Sequence, residues 1–132
     1  MEHAGYSDTP LTRKLGIAEG SVVALVGAPA GFDQVLGELP AGASLRRSGR
    51  GRRDLTLAFV TGVREIEIRW DRLARDQAID DVWIVWAKKA SPLHTGVTEG
   101  LVREAGLQHG FVDFKVAAID ETWSGLRFKR RR

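Results

Sequence analysis

Near-continuous apolar segments constrain the fold of this chain more than any other feature of its sequence. Residues 22–26 (VVALV) and 82–87 (VWIVWA) are apolar throughout, and residues 55–60 (LTLAFV) interrupt the pattern once. A strand that is covered on both faces is apolar at successive positions, whereas a strand with one solvated face alternates. Segments with helical spacing separate these runs. The order predicts an α/β domain with one small, mostly parallel sheet flanked by helices.

The helices are predicted from apolar residues that recur three or four positions apart. A short helix is expected over residues 9–16, with Thr9 as its cap, Pro10 in its first turn and Gly16 just past its end. Three further helices are expected to turn these residues inward: Phe32, Val35, Leu36 and Leu39; Val63, Ile66, Trp70 and Leu73; and Val97, Leu101, Val102 and Ala105, with Gly110 as the stop of the last one.

The remaining strands are predicted less sharply. The chain is expected to end in an antiparallel hairpin, with a turn over residues 120–125. Residues 43–47 (ASLRR) predict a weaker second strand, and about seven residues join it to the third strand. A parallel crossover normally needs about a dozen or more. Either the connection is extended or the second strand runs antiparallel to the third.

Five segments carry a resemblance to known proteins. TPLTRKLG, LVGAPAGF, ELP, WAKKAS and DETWSGLRF resemble the recurring motifs of a family of small bacterial proteins of unknown function. The order of elements is also similar to a truncated methyltransferase-type, Rossmann-like nucleotide-binding fold with its closing antiparallel hairpin. The resemblance covers nearly the whole chain and implies that residues 1–132 form a single domain. It implies no established activity, so function has to be argued from the residues.

Composition excludes several classes of protein and site. The 132 residues contain no cysteine, which excludes disulfides, thiolate metal sites and cysteine catalysis, and fits a reducing compartment. Neither a signal-peptide pattern nor an apolar run of roughly 18 residues is present, so a cytoplasmic protein without membrane contact is expected. Residues 1–8 are expected to form a loose terminus. His3, His94 and His109 lack metal-ligand spacing, and no metal is expected.

The predicted ligand site lies where the carboxyl ends of the parallel strands meet. Four loops are expected there, at residues 27–32, 61–62, 88–92 and 120–125. No serine has the G-x-S-x-G context of a nucleophile elbow, and we find no catalytic constellation. The ligand and any cofactor stay unidentified. The candidate ligand-binding residues are Gly27, Ala28, Pro29, Gly31, Phe32, Thr61, Lys88, Lys89, Ser91, Asp120, Glu121, Thr122 and Trp123.

The first of these loops, GAPAG at residues 27–31, matches a nucleotide-binding turn in part. Such turns use G-x-G-x-x-G so that backbone amides approach a pyrophosphate, but here two glycines stand four positions apart and Pro29 removes a donor. The loop therefore either places an anion or cofactor at a helix start or makes a tight turn. Arg46 and Arg47 stand where an acid would bind ribose hydroxyls. They suit a phosphorylated ribose, another anion or a solvated loop.

The third and fourth loops contain the other unusual side chains. Lys88 and Lys89 beside Ser91 suit a phosphate or a carboxylate, unless the lysines simply face water. Asp120 and Glu121 are adjacent and would point to opposite faces of a strand. In a turn, either would serve as a general base, or both are ordinary turn residues. Trp123 covers either a ligand or the edge of the core.

Basic residues are concentrated in two segments. Residues 46–53 and 127–132 hold ten of the 20 lysines and arginines and no acid, so the rest of the chain has 10 basic against 17 acidic residues. Flexible basic segments neutralise phosphates, which predicts at most weak and non-specific nucleic-acid binding, with residues 129–132 as a basic tail. The candidate residues are Arg46, Arg47, Arg50, Arg52, Arg53, Arg130, Arg131 and Arg132.

These observations favour a non-catalytic binding or regulatory module. Its expected partner at the four-loop edge is a small anionic ligand or a protein, including a second copy of the chain. One alternative is an atypical transferase-like protein that binds a nucleotide or S-adenosylmethionine. The other is a nucleic-acid accessory protein with a basic tail.

Overall fold

The computed structural model describes residues 9–47 and 51–132, which form one six-stranded sheet with four helices. The helices are α1 Leu11–Leu15, α2 Phe32–Leu36, α3 Val63–Arg75 and α4 Glu99–Gln108. The strands are β1 Val22–Val26, β2 Ser44–Arg46, β3 Leu55–Phe59, β4 Asp81–Ala87, β5 Phe111–Ala118 and β6 Trp123–Arg130. Their order in the sheet is β2-β1-β3-β4-β6-β5. Within the described residues, no helix is long and apolar enough to cross a membrane.

The sheet is mostly parallel. β1 pairs in parallel with β2 and with β3, and β3 pairs in parallel with β4. β6 runs antiparallel to both of its neighbours, β4 and β5, so β5 points in the same direction as the first four strands. The predicted α/β class with antiparallel pairing at the C-terminal end is confirmed. The hairpin turn comes earlier than predicted, because β6 already begins at Trp123.

The direction of the second strand, left open by the sequence, is parallel to the first. β2 has three residues, and its last residue, Arg46, lies opposite Ala24 of β1. β3 begins with Leu55 opposite the neighbouring residue, Val23. Because the two strands end and begin at nearly the same level, the connection has little distance to cover along the strand axis. A short connection without a helix therefore suffices, and the antiparallel alternative is excluded.

An apolar layer covers each face of the sheet, which explains the near-continuous apolar strands. Along β4, Trp83 and Ala87 pack into the layer that contains residues of α1 and α2, here called the α1/α2 face. Ile84 and Trp86 pack into the layer that contains residues of α3 and α4, the α3/α4 face. The Trp83 indole Nε1 donates to the carbonyl oxygen of Leu15 at 2.8 Å, so its polar group is satisfied within the buried layer.

Three apolar residues that were predicted to face inward are exposed, so these predictions are wrong. α2 is five residues long and turns only Phe32 and Leu36 to the core. In α4, Val102 and Gly106 are buried against the sheet, and Leu101 lies about 100° around the helix from Val102. The exposed residues are Val35 at 38%, Val63 at 48% and Leu101 at 40%.

Two of the four residues that were predicted to form a basic tail, at 129–132, belong to the folded sheet. Lys129 and Arg130 are the last residues of β6. The Arg130 guanidinium donates to four carbonyl oxygens at 2.9–3.3 Å, those of Leu73, Ala74, Asp76 and Ile79. It also lies 4.7 Å from the ring centroid of Phe111. The arginine thus satisfies carbonyls that the C-terminal turn of α3 leaves without helical partners.

Candidate functional site

The carboxyl ends of β1, β3, β4 and β5 meet at one edge of the sheet, here called the carboxyl edge. From β1 the chain proceeds to β2 on one side and then to β3 on the other. The strand order therefore reverses between β1 and β3. Ligands of open α/β sheets bind in the crevice outside the carboxyl ends of the strands at such a reversal. All four loops named from the sequence reach this edge.

A cavity of about 370 Å³ lies at the carboxyl edge and is lined by residues of the segments that follow β1, β3, β4 and β5; we call it the four-loop cavity. The segment after β4 contributes Leu93 and Thr95, which lie just beyond the predicted loop at residues 88–92. Its walls are largely apolar, and Trp123 forms one of them. The Trp123 ring also packs edge-on against Phe59, with 5.3 Å between ring centroids. Trp123 therefore closes the core and borders the cavity at the same time. The lining residues are Pro29, Val60, Thr61, Ala87, Leu93, Thr95 and Trp123.

The two lysines predicted to share this site line a different cavity, of about 450 Å³, which we call the lysine cavity. Ala87 borders the four-loop cavity, whereas the preceding residue, Trp86, borders the lysine cavity. Successive residues of a strand point to opposite faces of the sheet, so β4 separates the two cavities. The lysine cavity is lined by Trp86, Lys88, Lys89, His94, Gly96, Val97, Thr98, Glu99 and Ser124.

The glycine loop after β1 is shaped by contacts within the chain. Gly27 has φ +70°, and a Cβ atom there would lie 2.7 Å from Nη2 of Arg69. Arg69 in turn donates from Nε to the carbonyl oxygen of Phe59 at 3.1 Å, and burial lowers its pKa. The Phe32 ring is buried against Phe59. The close approach that Gly27 permits is therefore made by the chain's own arginine, which favours the tight-turn alternative.

Arg47 links the end of β2 to the glycine loop. Its guanidinium donates to the carbonyl oxygens of Ala28 at 3.2 Å and Pro29 at 3.4 Å. The adjacent Arg46 lies 3.5 Å from the carbonyl oxygen of Arg52. Hydrogen-bond donors thus occupy the place where an acid would accept from ribose hydroxyls. This arrangement holds the loop and leaves no carboxylate for an ordinary ribose contact at the end of β2.

The turn between β5 and β6 is closed by Asp120. Its Oδ1 accepts from the backbone N–H groups of Thr122 and Trp123, both at 2.8 Å. The Thr122 carbonyl oxygen accepts from the Lys88 backbone N–H at 2.8 Å, so this turn also fixes the start of the β4–α4 loop. Glu121 is exposed. Asp120 therefore acts through the backbone, by positioning Trp123 beside the four-loop cavity.

Ser91 shapes the loop after β4 in a similar way. The residue is buried, and its Oγ accepts from the Leu93 backbone N–H at 3.0 Å. Its backbone N–H donates to the Lys88 carbonyl oxygen at 2.9 Å, and its own carbonyl accepts from the His94 N–H at 3.0 Å. These turns place Leu93 at the four-loop cavity and His94 at the lysine cavity. The hydroxyl predicted to bind an anion is thus used inside the loop.

Thr61, two residues after β3, is held by hydrogen bonds at both its N–H group and its carbonyl oxygen. Its backbone N–H donates to Oε1 of Glu65 at 3.0 Å, and its carbonyl oxygen accepts from the Thr95 hydroxyl at 2.7 Å. The hydrogen bond from Thr61 lowers the pKa of Glu65. Thr95 therefore joins the loop after β4 to the loop after β3, and the two loops form one wall of the four-loop cavity.

The arginines proposed as a nucleic-acid surface are largely engaged within the fold. Arg53 pairs with Asp76 at 2.7 Å and its side chain is 5% exposed. Arg52 pairs with Asp54 at 3.0 Å, and Arg132 with Asp80 at 2.8 Å. The backbone N–H of Arg131 donates to the carbonyl oxygen of Gly110. Arg50 lies outside the described residues. Arg53 and Arg130 meet at Asp76, where Arg53 donates to the carboxylate and Arg130 to the carbonyl oxygen.

Several site residues were missed by the sequence analysis. Val60 and Ala87 look like ordinary strand residues, and Thr95 like an ordinary loop residue. Leu93 offered a signal, because it is an apolar residue in the polar loop SPLHTG directly after the most apolar strand. It is 57% exposed at the mouth of the four-loop cavity. For metals, no group of three or more His, Asp or Glu side chains is placed to bind an ion within residues 9–47 and 51–132.

Comparison with known proteins identifies the fold and no family. No family model matches the chain, and no curated protein matches its sequence. A protein in the NADB-Rossmann superfamily from Streptococcus agalactiae has a TM-score of 0.61 at 10% identity, over 98% of this chain and 72% of that one. A SAM-dependent methyltransferase from Aquifex aeolicus has a TM-score of 0.57 at 14% identity, over 89% and 86%.

An uncharacterised protein from Listeria monocytogenes serotype 4b is also similar, with a TM-score of 0.57 at 10% identity, over 96% of this chain and 69% of that one. Identities this low are informative about the fold and carry no activity across. The resemblance to methyltransferase-type, Rossmann-like folds stated from the sequence is thereby confirmed. The chain has a methyltransferase-like α/β fold.

Proposed function

We propose that this chain is a non-catalytic binding module whose small-molecule ligand places an apolar group in the four-loop cavity. The observation that supports this most strongly is that residues of the segments after β1, β3, β4 and β5 line one apolar cavity at the reversal of strand order. A volume of about 370 Å³ lies within the range of roughly 300–1,000 Å³ that is typical of small-molecule sites.

The chemistry of the lining supports binding over catalysis. Among the described residues that line the four-loop cavity there is no histidine, lysine or carboxylate. Two carboxylates near the cavity wall have structural tasks, since Glu65 of α3 accepts from the Thr61 amide and Asp120 accepts from the turn amides. Thr61 and Thr95 supply the polar atoms at the wall, which suits orientation of a ligand through one or two hydrogen bonds.

A protein partner is the competing occupant. Leu93 is 57% exposed beside the cavity, so an apolar side chain of another protein, or of a second copy of this chain, would bury it on insertion. The resemblance to a family of small bacterial proteins of unknown function and a cytoplasmic location also remain proposals. The first rests on the five motifs, and the second on the absence of cysteine.

The second candidate function is binding of S-adenosylmethionine by a transferase-like protein. It is favoured by the fold shared with the Aquifex aeolicus methyltransferase and by the position of the four-loop cavity. Arg47 on the glycine loop argues against it, because a cofactor ribose would meet donors in place of an acceptor carboxylate. The variant Arg47→Asp places a carboxylate at this position. If it strengthens S-adenosylmethionine binding, the cavity is suited to a ribose, and the natural chain lacks the acid that such a site needs.

The experiment that tests the proposed function is a thermal-shift panel with S-adenosylmethionine, its demethylated product, NAD, NADP, ATP, coenzyme A, adenine and indole. A ligand at about 100 times its dissociation constant adds about 2.7 kcal/mol of stability. For a domain of this size the unfolding midpoint then rises by several degrees. The cavity-filling variant Leu93→Trp is expected to abolish the shift, whereas Leu107→Trp, at an exposed position on α4, keeps it.

Two outcomes contradict the proposal. A midpoint shift that Leu93→Trp leaves unchanged places the ligand elsewhere. If no compound of the panel shifts the unfolding midpoint, the protein partner is favoured.

The nucleic-acid alternative is tested in parallel with a short single-stranded RNA at two salt concentrations. Salt-sensitive binding that Arg46→Gln and Arg52→Gln abolish would support it. Deleting residues 129–132 is not a suitable test, because it removes the end of β6.

A further inference from the structure

We propose that the lysine cavity is a second binding site, separate from the four-loop cavity, and that it takes a phosphate monoester of a small organic molecule. Within the described part of the chain the two cavities share no lining residue, and they lie on opposite faces of β4. The site therefore does not depend on the function proposed above. Lys88, Lys89 and His94 supply the groups that would meet the phosphate.

The two lysines of this cavity differ from the other lysines of the chain. Lys14, Lys115 and Lys129 each direct the ammonium group at a carbonyl or carboxylate oxygen. Throughout residues 9–47 and 51–132, no oxygen atom is bonded to the ammonium group of Lys88 or Lys89. Two adjacent unpaired cations repel one another, and a dianion bound between them replaces this repulsion with attraction. The pair is thus arranged to hold an anion.

The backbone that carries Lys88 is fixed before any ligand arrives. Lys88 donates its N–H to Thr122 and accepts at its carbonyl from Ser91, at 2.8 and 2.9 Å. His94 Nδ1 lies 3.3 Å from the Ala87 carbonyl oxygen. Because a carbonyl oxygen only accepts, a hydrogen bond between the two requires Nδ1 to be the donor. A loop that is already ordered loses little conformational entropy on binding, which raises the affinity of a site.

The remaining lining residues determine the class of anion. Glu99 is the carboxylate among the described lining residues, and it pairs with Arg103, which also pairs with Asp113. Two ammonium groups match a phosphate dianion, whereas a monocarboxylate would leave one of them uncompensated. Trp86 and Val97, both buried, form an apolar wall. The cavity of about 450 Å³ has the volume of a small-molecule site, so it accommodates an organic group next to the phosphate.

The test is calorimetric titration of the full chain with phenyl phosphate at constant ionic strength, beside inorganic phosphate and benzoate. Phenyl phosphate is expected to bind about tenfold more tightly than either, because it alone offers both the dianion and the apolar ring. The double variant Lys88→Gln/Lys89→Gln is expected to lose at least about tenfold in affinity. Lys129→Gln removes one equal charge at the far end of the sheet and is expected to leave the affinity unchanged.

Three results overturn the proposal. Equal weakening by Lys129→Gln and by the lysine double variant shows a non-specific charge effect. Equal affinity for phenyl phosphate and inorganic phosphate excludes the monoester. Loss of binding in Leu93→Trp places the ligand in the four-loop cavity. The single variant His94→Gln is a second probe of the same site, with a smaller expected loss, should the double variant fail to fold. A failure of the four-loop proposal leaves these results unaffected, because the lysine variants and the phosphate ligands are used only here, and Leu93→Trp serves only to tell the two cavities apart.

Discussion

Two glycines of α4 offer a matched test of how tightly this fold is packed. A Cβ atom at Gly106 would lie 2.6 Å from Cε2 of Phe128 and 2.8 Å from Cζ2 of Trp70. Ordinary contacts of this kind begin near 3.4 Å, so both fully buried rings would have to move by more than half an ångström. In the same helix, a Cβ atom at Gly100 meets no atom within 4 Å. Gly106→Ala and Gly100→Ala therefore differ in packing alone.

The expected free energies follow from two opposing effects. Replacing a helical glycine by alanine stabilises a helix by up to about 1 kcal/mol, whereas overpacking a filled core costs about 1–3 kcal/mol. Gly100→Ala is expected to raise the free energy of unfolding by about 0.5–1 kcal/mol. Gly106→Ala is expected to lower it by about 1–2 kcal/mol, because neither Trp70 nor Phe128 has free space beside it.

The measurement is urea unfolding followed by tryptophan fluorescence and circular dichroism, with the same m-value required for all three proteins. The two variants are expected to lie on opposite sides of the natural chain and about 2 kcal/mol apart. If Gly106→Ala is as stable as Gly100→Ala, the close approach of α4 to the two aromatic rings is refuted. That result would mean that α4 packs less closely against the α3/α4 face of the sheet than described above.

Three further predictions concern contacts that are described above. Arg130→Met removes donors from four carbonyl oxygens and is expected to cost about 2–3 kcal/mol in thermal or urea unfolding, whereas Arg131→Met, at an exposed side chain, stays near the natural chain. The hydrogen bond from the Thr61 amide lowers the pKa of Glu65 below 4.5, so its ionised form contributes stability above that pH that is lost as the pH falls through the lowered value. Glu65→Gln is therefore expected to flatten the acid limb of a stability profile, and an unchanged limb would contradict this. Gly27→Ala is expected to be less stable than Gly31→Ala, because both glycines have positive φ but only the first Cβ meets a neighbour, Arg69; equal urea midpoints would show that Arg69 does not rest on Gly27.

The local pattern of the sequence was sufficient for the fold class. A strand buried on both faces has to be apolar at successive positions, so VVALV and VWIVWA indicated a covered, largely parallel sheet. Positive-φ glycines at the ends of short elements, such as Gly16 and Gly110, also followed from local conformational preference. These properties depend on neighbours along the chain, which is why sequence reasoning reached them.

The loops named from the sequence lie together at the carboxyl edge of the sheet, but their side chains border two different cavities. The edge follows from the parallel direction of the strands, and the sequence shows which loops follow them. Which face of β4 each loop residue borders depends on the strand pleat and on the turns closed by Ser91 and Asp120. For that reason Lys88 and Trp123, expected in one site, border two different cavities.

The sequence by itself determined the class of fold, the single sheet and the edge at which ligands are expected, because these follow from burial periodicity and strand direction. Only the tertiary structure decided what the arginines and glycines do. Arg130 caps α3 from a strand more than fifty residues away, and Arg69 fills the approach that Gly27 leaves open. Such contacts join residues that are distant along the chain, and a single sequence carries no local pattern that marks them.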